Sequence, residues 1–331
     1  MIGAILGDIA GSKYEFNNTL DYNFDMFPAG CGFTDDTICT VAVADAILRG
    51  IPYKDSLLSW GRRYPNPLGA YGSGFGRWLR SDNPQPYGSF GNGAAMRVSP
   101  VGFAFATEEE TLEQARLSAE CSHNHEEGMK GAAAVAAAIF RLRTTDNKDS
   151  VRDILHWYDG YPIPKRGQWD GTCQGCVPLA LQLFLDSTDF EDAIRLAVSY
   201  GGDSDTLGAI VGGIADAYYG VPFDLCVKAL SYLSDEMKDI TLEFYNNYWK
   251  KNKTTTDDPT PDPFFKGFCE DQPGPWSDFA YNSICHKCKW LKEGAKWADG
   301  CFHYGDSPDD LSFSEIQDTQ LSGQCDLFDE K

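Results

Sequence analysis

The sequence is short of basic residues: 28 Lys and Arg stand against 49 Asp and Glu, for a net charge of −21. That balance argues against a nucleic-acid backbone or an anionic membrane as partner. An anionic ligand could not be drawn in by bulk charge either. It would need bound metal ions, helix N-termini or loop N–H groups. No uncharged apolar run reaches the ~18 residues of a membrane span. The N-terminal stretch lacks a basic region, and Asp8 interrupts its apolar run, so it does not read as a signal peptide. The eleven cysteines are an odd number without such a signal, which predicts a reducing, cytoplasmic setting. No convincing set of alternating strand patterns occurs through residue 250, and no period of 20–50 residues recurs.

What remains is a succession of about ten helical patterns, so the fold class is all-α, a compact multi-helix orthogonal bundle. Residues 2–16 read as a buried helix rich in Gly and Ala. Asp8 and Glu15, seven apart, would then share one face. An acidic pair on a buried face is costly unless a cation or hydrogen-bond donor meets it. The stretch Thr34-Asp35-Asp36-Thr37 opens a clear apolar helix. Gly201-Gly202-Asp203-Ser204-Asp205-Thr206 opens another, running from Leu207 to Tyr219. Each alone is explained by an N-cap and by acids favoured in the first turn. Two such openings, plus an acidic first helix, make a shared site the stronger reading. Two carboxylates and a threonine from each could hold a pair of divalent ions, roughly 3.5–4 Å apart in two-metal sites generally. Oxygen ligands of this kind suit Mg²⁺, Mn²⁺ or Ca²⁺ rather than zinc. The pattern is not an EF-hand, whose central Gly and distant Glu are missing.

The loop Ser89-Phe90-Gly91-Asn92-Gly93 permits close backbone approach, and its N–H groups ahead of a helix predict an anion cradle. It lacks the Lys-Ser/Thr of a nucleotide-binding loop. His123 lies at a helix junction, either as a satisfied core group or as a ligand contact. The helix from Gly131 to Phe140 is Ala-rich and must be central. Cys176-Val177-Pro178 reads as a helix start with Pro near its first turn. Cys173 and Cys176 read as two ordinary thiols.

Composition shifts after Lys253 to a Thr-, Pro- and acid-rich linker. We therefore divide the chain into a catalytic domain, 1–252, and an acidic, Cys- and Trp-containing C-terminal extension, 253–331. The extension carries five of the eleven cysteines and 16 acidic against seven basic residues. Cys285, Cys288, Cys301 and His303 have the ligand types of a small Zn²⁺ module, and free thiols around Trp276, Trp290 and Trp297 are the alternative.

Taken together, Gly7-Asp8 to Glu15, Phe33 to Thr37, Gly91-Asn92-Gly93 to Arg97, Ser122-His123 and Gly201 to Thr206 resemble the ADP-ribosylglycohydrolase family, the group that includes the dinitrogenase-reductase-activating glycohydrolase. The motifs occur in the family's order and cover about residues 2–222. The resemblance implies an all-α fold with a binuclear Mg²⁺ or Mn²⁺ centre. It also implies hydrolysis of the glycosidic bond between the distal ribose of ADP-ribose and a modified side chain or small conjugate, releasing ADP-ribose. Thr34, Asp35 and Asp36 would hold one metal, and Asp203, Asp205 and Thr206 the other. Glu15, Asp35 and Asp36 are the candidate acid or base. Ser89, Phe90, Gly91, Asn92 and Gly93 would wrap the diphosphate and distal ribose, and His123 would lie beside the ribose. The partner would be an ADP-ribosylated protein or conjugate. A non-catalytic ADP-ribose-binding protein and a divalent-metal nucleotide phosphohydrolase are the rival readings.

Overall fold

The computed structural model describes residues 1–249, and these are all-helical apart from turns and two isolated β-bridges. The helices are α1 (Ile2–Gly11), α2 (Asp35–Arg49), α3 (Tyr53–Arg63), α4 (Ser73–Arg80), α5 (Gly93–Met96), α6 (Ser99–Ala104) and α7 (Glu108–Glu120). They continue as α8 (Glu126–Thr145), α9 (Ser150–Leu155), α10 (Cys173–Asp186), α11 (Phe190–Tyr200), α12 (Ser204–Tyr218), α13 (Phe223–Ser231) and α14 (Asp235–Phe244). A 3₁₀ turn follows α9, and a π turn follows α14. No helix among the described residues is long and apolar enough to cross a membrane. The zinc and tryptophan expectations for the C-terminal extension lie outside the described residues.

The centre of the bundle is the pair α1 and α12. Every residue of α1 is buried, as is α12 from Ser204 to Ala217. Their contact is built from glycines four apart, the spacing that puts residues on one helical face. A Cβ at Gly3 would lie 2.2 Å from the Gly212 carbonyl oxygen, and one at Gly7 would lie 1.9 Å from that of Gly208. One at Gly11 would lie 2.4 Å from the Ser204 carbonyl oxygen. The partners run backwards as α1 runs forwards, so the helices are antiparallel with their backbones in contact. The end of α1 therefore meets the start of α12. The long helix α8, buried through most of Gly128–Leu142, packs beside them with its alanines. Gly131 makes room there for the Cys173 thiol of α10, whose Sγ a Cβ would meet at 2.4 Å.

Two expectations need correcting, the extent of the first helix and the start of α10. The first helix does not reach residue 16: it ends at Gly11, and the Tyr14 amide closes a turn on the Gly11 carbonyl at 2.8 Å. Glu15 therefore lies beyond the helix, not on a face shared with Asp8. The Gly- and Pro-rich stretch after residue 60 contains the amphipathic α4, with Phe75, Trp78 and Leu79 buried. Helix α10 begins at Cys173, capped by the Thr172 side chain, so Pro178 falls inside it. Cys173 and Cys176 are both buried free thiols.

The backbone contact of α1 and α12 leaves no volume for a side chain. Gly7→Ala and Gly208→Ala should each destabilise the protein by about 2 kcal/mol or more. Gly72→Ala, where a Cβ meets nothing within 4 Å, should change little. Thermal or urea unfolding of the three variants checks the contrast.

Candidate metal centre

Asp8 on α1 is fully buried and grips the start of α2. Its Oδ2 accepts from the amides of Thr34 and Thr37 at 3.0 and 3.1 Å, and its Oδ1 accepts from the Thr34 hydroxyl at 2.8 Å. A carboxylate at the positive end of a helix is electrostatically favoured, and these donors satisfy otherwise orphaned N–H groups. Thr34 is the N-cap of α2 and accepts from the Asp36 amide at 3.2 Å. Asp36 in turn reaches α12: its Oδ2 accepts from the Thr206 hydroxyl at 3.2 Å. Its Oδ1 is buried without any hydrogen-bond partner. A buried carboxylate oxygen left without a donor is costly, and a bound cation or a proton would satisfy it.

The second acidic opening behaves differently from a plain cap. Asp203 occupies the N-cap position of α12 but makes no side-chain capping bond. Its Oδ2 accepts instead from the Asn92 amide group at 2.7 Å. Asp203, Asp205 and Glu15 each turn a carboxylate oxygen to one point, all within 4.8 Å of one another. Glu15 is brought there by a clamp the sequence reading missed. The Asn18 side-chain amide donates to the Tyr14 and Gly202 carbonyls at 2.7 and 2.9 Å and accepts from the Gly202 amide at 2.8 Å. The clamp ties the turn after α1 to the glycine turn before α12. Both glycines of that turn have positive φ, +80° at Gly201 and +84° at Gly202, conformations that L side chains rarely adopt. Next to Glu15, the exposed Phe16 ring stacks on Trp169, with centroids 6.0 Å apart.

The electrostatics follow from this crowding. Burial pushes Glu15 up to about 8, and the charges of Asp205 and Asp8 push the same way. Burial also raises Asp8 and Asp203 to about 6, against hydrogen bonds from Thr37 and Thr34 to Asp8 and from Asn92 to Asp203. Asp35, Asp36 and Asp205 are held well above the ordinary carboxylate range by burial and then by neighbouring carboxylates, Asp205 first for Asp35 and Asp36, and Asp203 first for Asp205. Asp205 is the leading charge on both Asp35 and Asp36, so the two acidic openings, far apart in sequence, share one field. No Lys or Arg among the described residues forms an ion pair with any of these six carboxylates. The donor set is all oxygen, which fits a hard divalent cation.

The glycine loop flanks this cluster. The Asn92 amide donates to the Gly171 carbonyl at 2.9 Å, and the Cys173 amide donates to the Phe90 carbonyl at 2.9 Å. The Gly91 amide donates to the Ser89 hydroxyl at 3.2 Å. Two of the N–H groups expected to form an anion cradle are therefore already taken by protein oxygens, and α5 behind the loop has only four residues. Phe90 is exposed, edge-on to His125. His123 is buried under the loop, its Nε2 lying 3.0 Å from where a Cβ at Gly93 would be.

Asn18→Ala should cost about 1–2 kcal/mol, since it leaves the Gly202 backbone groups without partners. Urea unfolding of the variant measures it.

The chain is similar to several known proteins. The ADP-ribosylhydrolase ARH3 of Danio rerio is 30% identical, over 75% of this chain and 89% of that protein. The ADP-ribosyl-dinitrogen reductase glycohydrolase of Rhodospirillum rubrum is 25% identical, over 66% of this chain and 84% of its own. A solved ADP-ribosylglycohydrolase-related protein complex superposes with a TM-score of 0.57 at 26% identity, covering 74% of this chain and 96% of that one. The profile described as ADP-ribosylglycohydrolase matches residues 1–253, the stretch that supplies every carboxylate above, and the chain belongs to that family.

Proposed function

We propose that the protein is a metal-dependent hydrolase that cleaves the glycosidic bond between the distal ribose of ADP-ribose and a modified side chain or small conjugate, releasing intact ADP-ribose. The observation that carries this reading is that Asp203 and Asp205 converge with Glu15 while Asp36 of the other helix start joins them through Thr206, with no Lys or Arg among the described residues paired to any of them. The residues that would hold two divalent ions, Mg²⁺ or Mn²⁺, are Thr34, Asp35 and Asp36 on one side and Asp203, Asp205 and Thr206 on the other. Bound there, the ions supply Lewis-acid charge and a water of lowered pKa.

The chain's own residues do the rest. Cleavage at an anomeric carbon passes through oxocarbenium-like charge and needs a proton for the leaving group and a placed water. Glu15 suits that proton transfer. It is only half-buried, stands at the open side of the cluster, and its turn is fixed by Asn18. Asp35 is the other partly exposed carboxylate, whereas Asp36 is buried and committed to Thr206. The Ser89–Gly93 loop, tied to Asp203 through the Asn92 side chain, and His123 behind it would hold the diphosphate and distal ribose, with Phe90 offering an exposed ring. These contacts orient the sugar over the acidic cluster and leave the acceptor on the solvent side.

Two measurements test the proposal. Saturating Mg²⁺ or Mn²⁺ should raise the melting temperature by roughly 5–10 °C, the shift expected for a site filled about a hundredfold over its Kd. Asp205→Asn should lose that shift. With chelator present it should be at least as stable as the parent, because removing one like charge relieves repulsion. A variant that retains the full metal shift refutes the assignment of Asp205. Incubated with mono-ADP-ribosylated polypeptide and metal, the full chain should release intact ADP-ribose, and Asp205→Asn should be slower by at least about 100-fold. Release of phosphate or a nucleoside monophosphate, or retention of the ligand without turnover, points to the rival activities instead.

A further inference from the structure

Behind the glycine loop, three buried side chains form a line. Arg97, which ends the short helix α5, is 1% exposed, Ser122 is 0% and His123 is 4%. The Arg97 Nη2 donates to the Ser122 hydroxyl oxygen at 2.9 Å and to the Ser118 carbonyl at 2.9 Å. The Ser122 Oγ lies 2.8 Å from the His123 Nδ1. Arg97 makes no ion pair with a carboxylate among the described residues, and its Nε is buried without a partner. Its guanidinium rests over the Phe75 ring, 5.6 Å from the centroid.

We infer that Arg97 and Ser122 are positioning residues that lock His123 as a neutral imidazole with its hydrogen on Nε2, so that it serves as a fixed donor to an anionic ligand held at the glycine loop. The argument is one of donor accounting. A guanidinium has no acceptor, so Arg97 must occupy a lone pair of the Ser122 oxygen. The Ser122 hydrogen then needs an acceptor, and among the described residues the strong one within hydrogen-bond distance is the His123 Nδ1, the neighbouring Cys121 sulfur being a weak acceptor. Placing the imidazole hydrogen on Nδ1 would strand a fully buried hydroxyl donor, an arrangement that folded proteins avoid. The remaining hydrogen is forced onto Nε2, the ring atom turned to Gly93 and Gly91 and without a hydrogen bond to any described residue. Burial and the nearby Arg97 charge hold the imidazole well below its usual pKa, so it stays neutral. The partner of a hydrogen on the second ring nitrogen is set by what the first nitrogen meets. Two of the loop's own N–H groups are already occupied, which leaves a fixed side-chain donor with work to do. The ligand half of this inference rests on the proposed function. The tautomer half does not.

The test uses the full-length, ¹⁵N-labelled protein and two-bond ¹H–¹⁵N spectra of its imidazoles. The chain has five histidines, so the His123 pattern is the one lost in His123→Gln. Between about pH 6 and 8 the parent should show His123 with its hydrogen on Nε2. Ser122→Ala should give mixed tautomers, and Ser122→Thr, which keeps the hydroxyl, should restore the parent pattern. In calorimetry with ADP-ribose and Mg²⁺, His123→Gln, whose amide NH₂ stands near the Nε2 position, should bind within about threefold of the parent. His123→Asn and Ser122→Ala should each bind about tenfold more weakly. A hydrogen on Nδ1 in the parent, or equal binding by the Gln and Asn variants, overturns the inference. A parent that binds no ADP-ribose overturns the proposed function and the ligand role, and the spectra then decide the tautomer alone.

Discussion

The close antiparallel contact of α1 with α12 is the constraint on which the rest of this structure depends. Glycines at every fourth position remove the side chains that would hold two helices at the usual 8–10 Å. The backbones touch, and the register is fixed, because any slip would drive a larger residue into a carbonyl oxygen. That register brings the end of α1 against the start of α12. Asp8 then lies one turn back from the junction, and Glu15 just beyond it converges with Asp203 and Asp205. The acidic site is thus set by helix packing, and the loops refine it.

The second constraint is electrostatic. Six carboxylates sit together with no basic side chain among them, and burial raises their pKa values, Glu15 up to about 8. Such a cluster is a cost to the empty protein. Hydrogen bonds from Thr34, Thr37, Thr206 and Asn92 offset part of it, and the orphaned Asp36 oxygen shows that they do not offset all. A chain carrying −21 net charge also repels anions at long range. Among the described residues, the one buried cation near the glycine loop, Arg97, is held without a carboxylate partner. The protein concentrates negative charge where hard cations fit and keeps a positive charge behind the loop where an anion would lie.

Much of the site was legible in the residues. Thr34 caps α2 as a hydroxyl before two acids should. Asp203, in an equivalent local pattern, does not cap its helix, because Asn92 from a distant loop offers its carboxylate a better partner. Local sequence could not separate these two cases. Glu15 was placed on a helical face by its spacing from Asp8. It reaches the cluster from a turn instead, and spacing could not reveal the Asn18 clamp that puts it there. The short α5 and α6 carried too few residues to show a period, and the amphipathic α4 was obscured by the glycines and prolines around it.

The residues by themselves determined the helical class, the acidic helix starts and the oxygen-only ligand chemistry, because hydrophobic period, capping preference and ligand hardness are local properties. Only the tertiary structure decided which carboxylates share a field, which loop N–H groups remain free, and which nitrogen of His123 carries its hydrogen. Each of these depends on a partner distant in sequence, and hydrogen-bond geometry and Coulomb interactions act only over the few ångströms that folding closes.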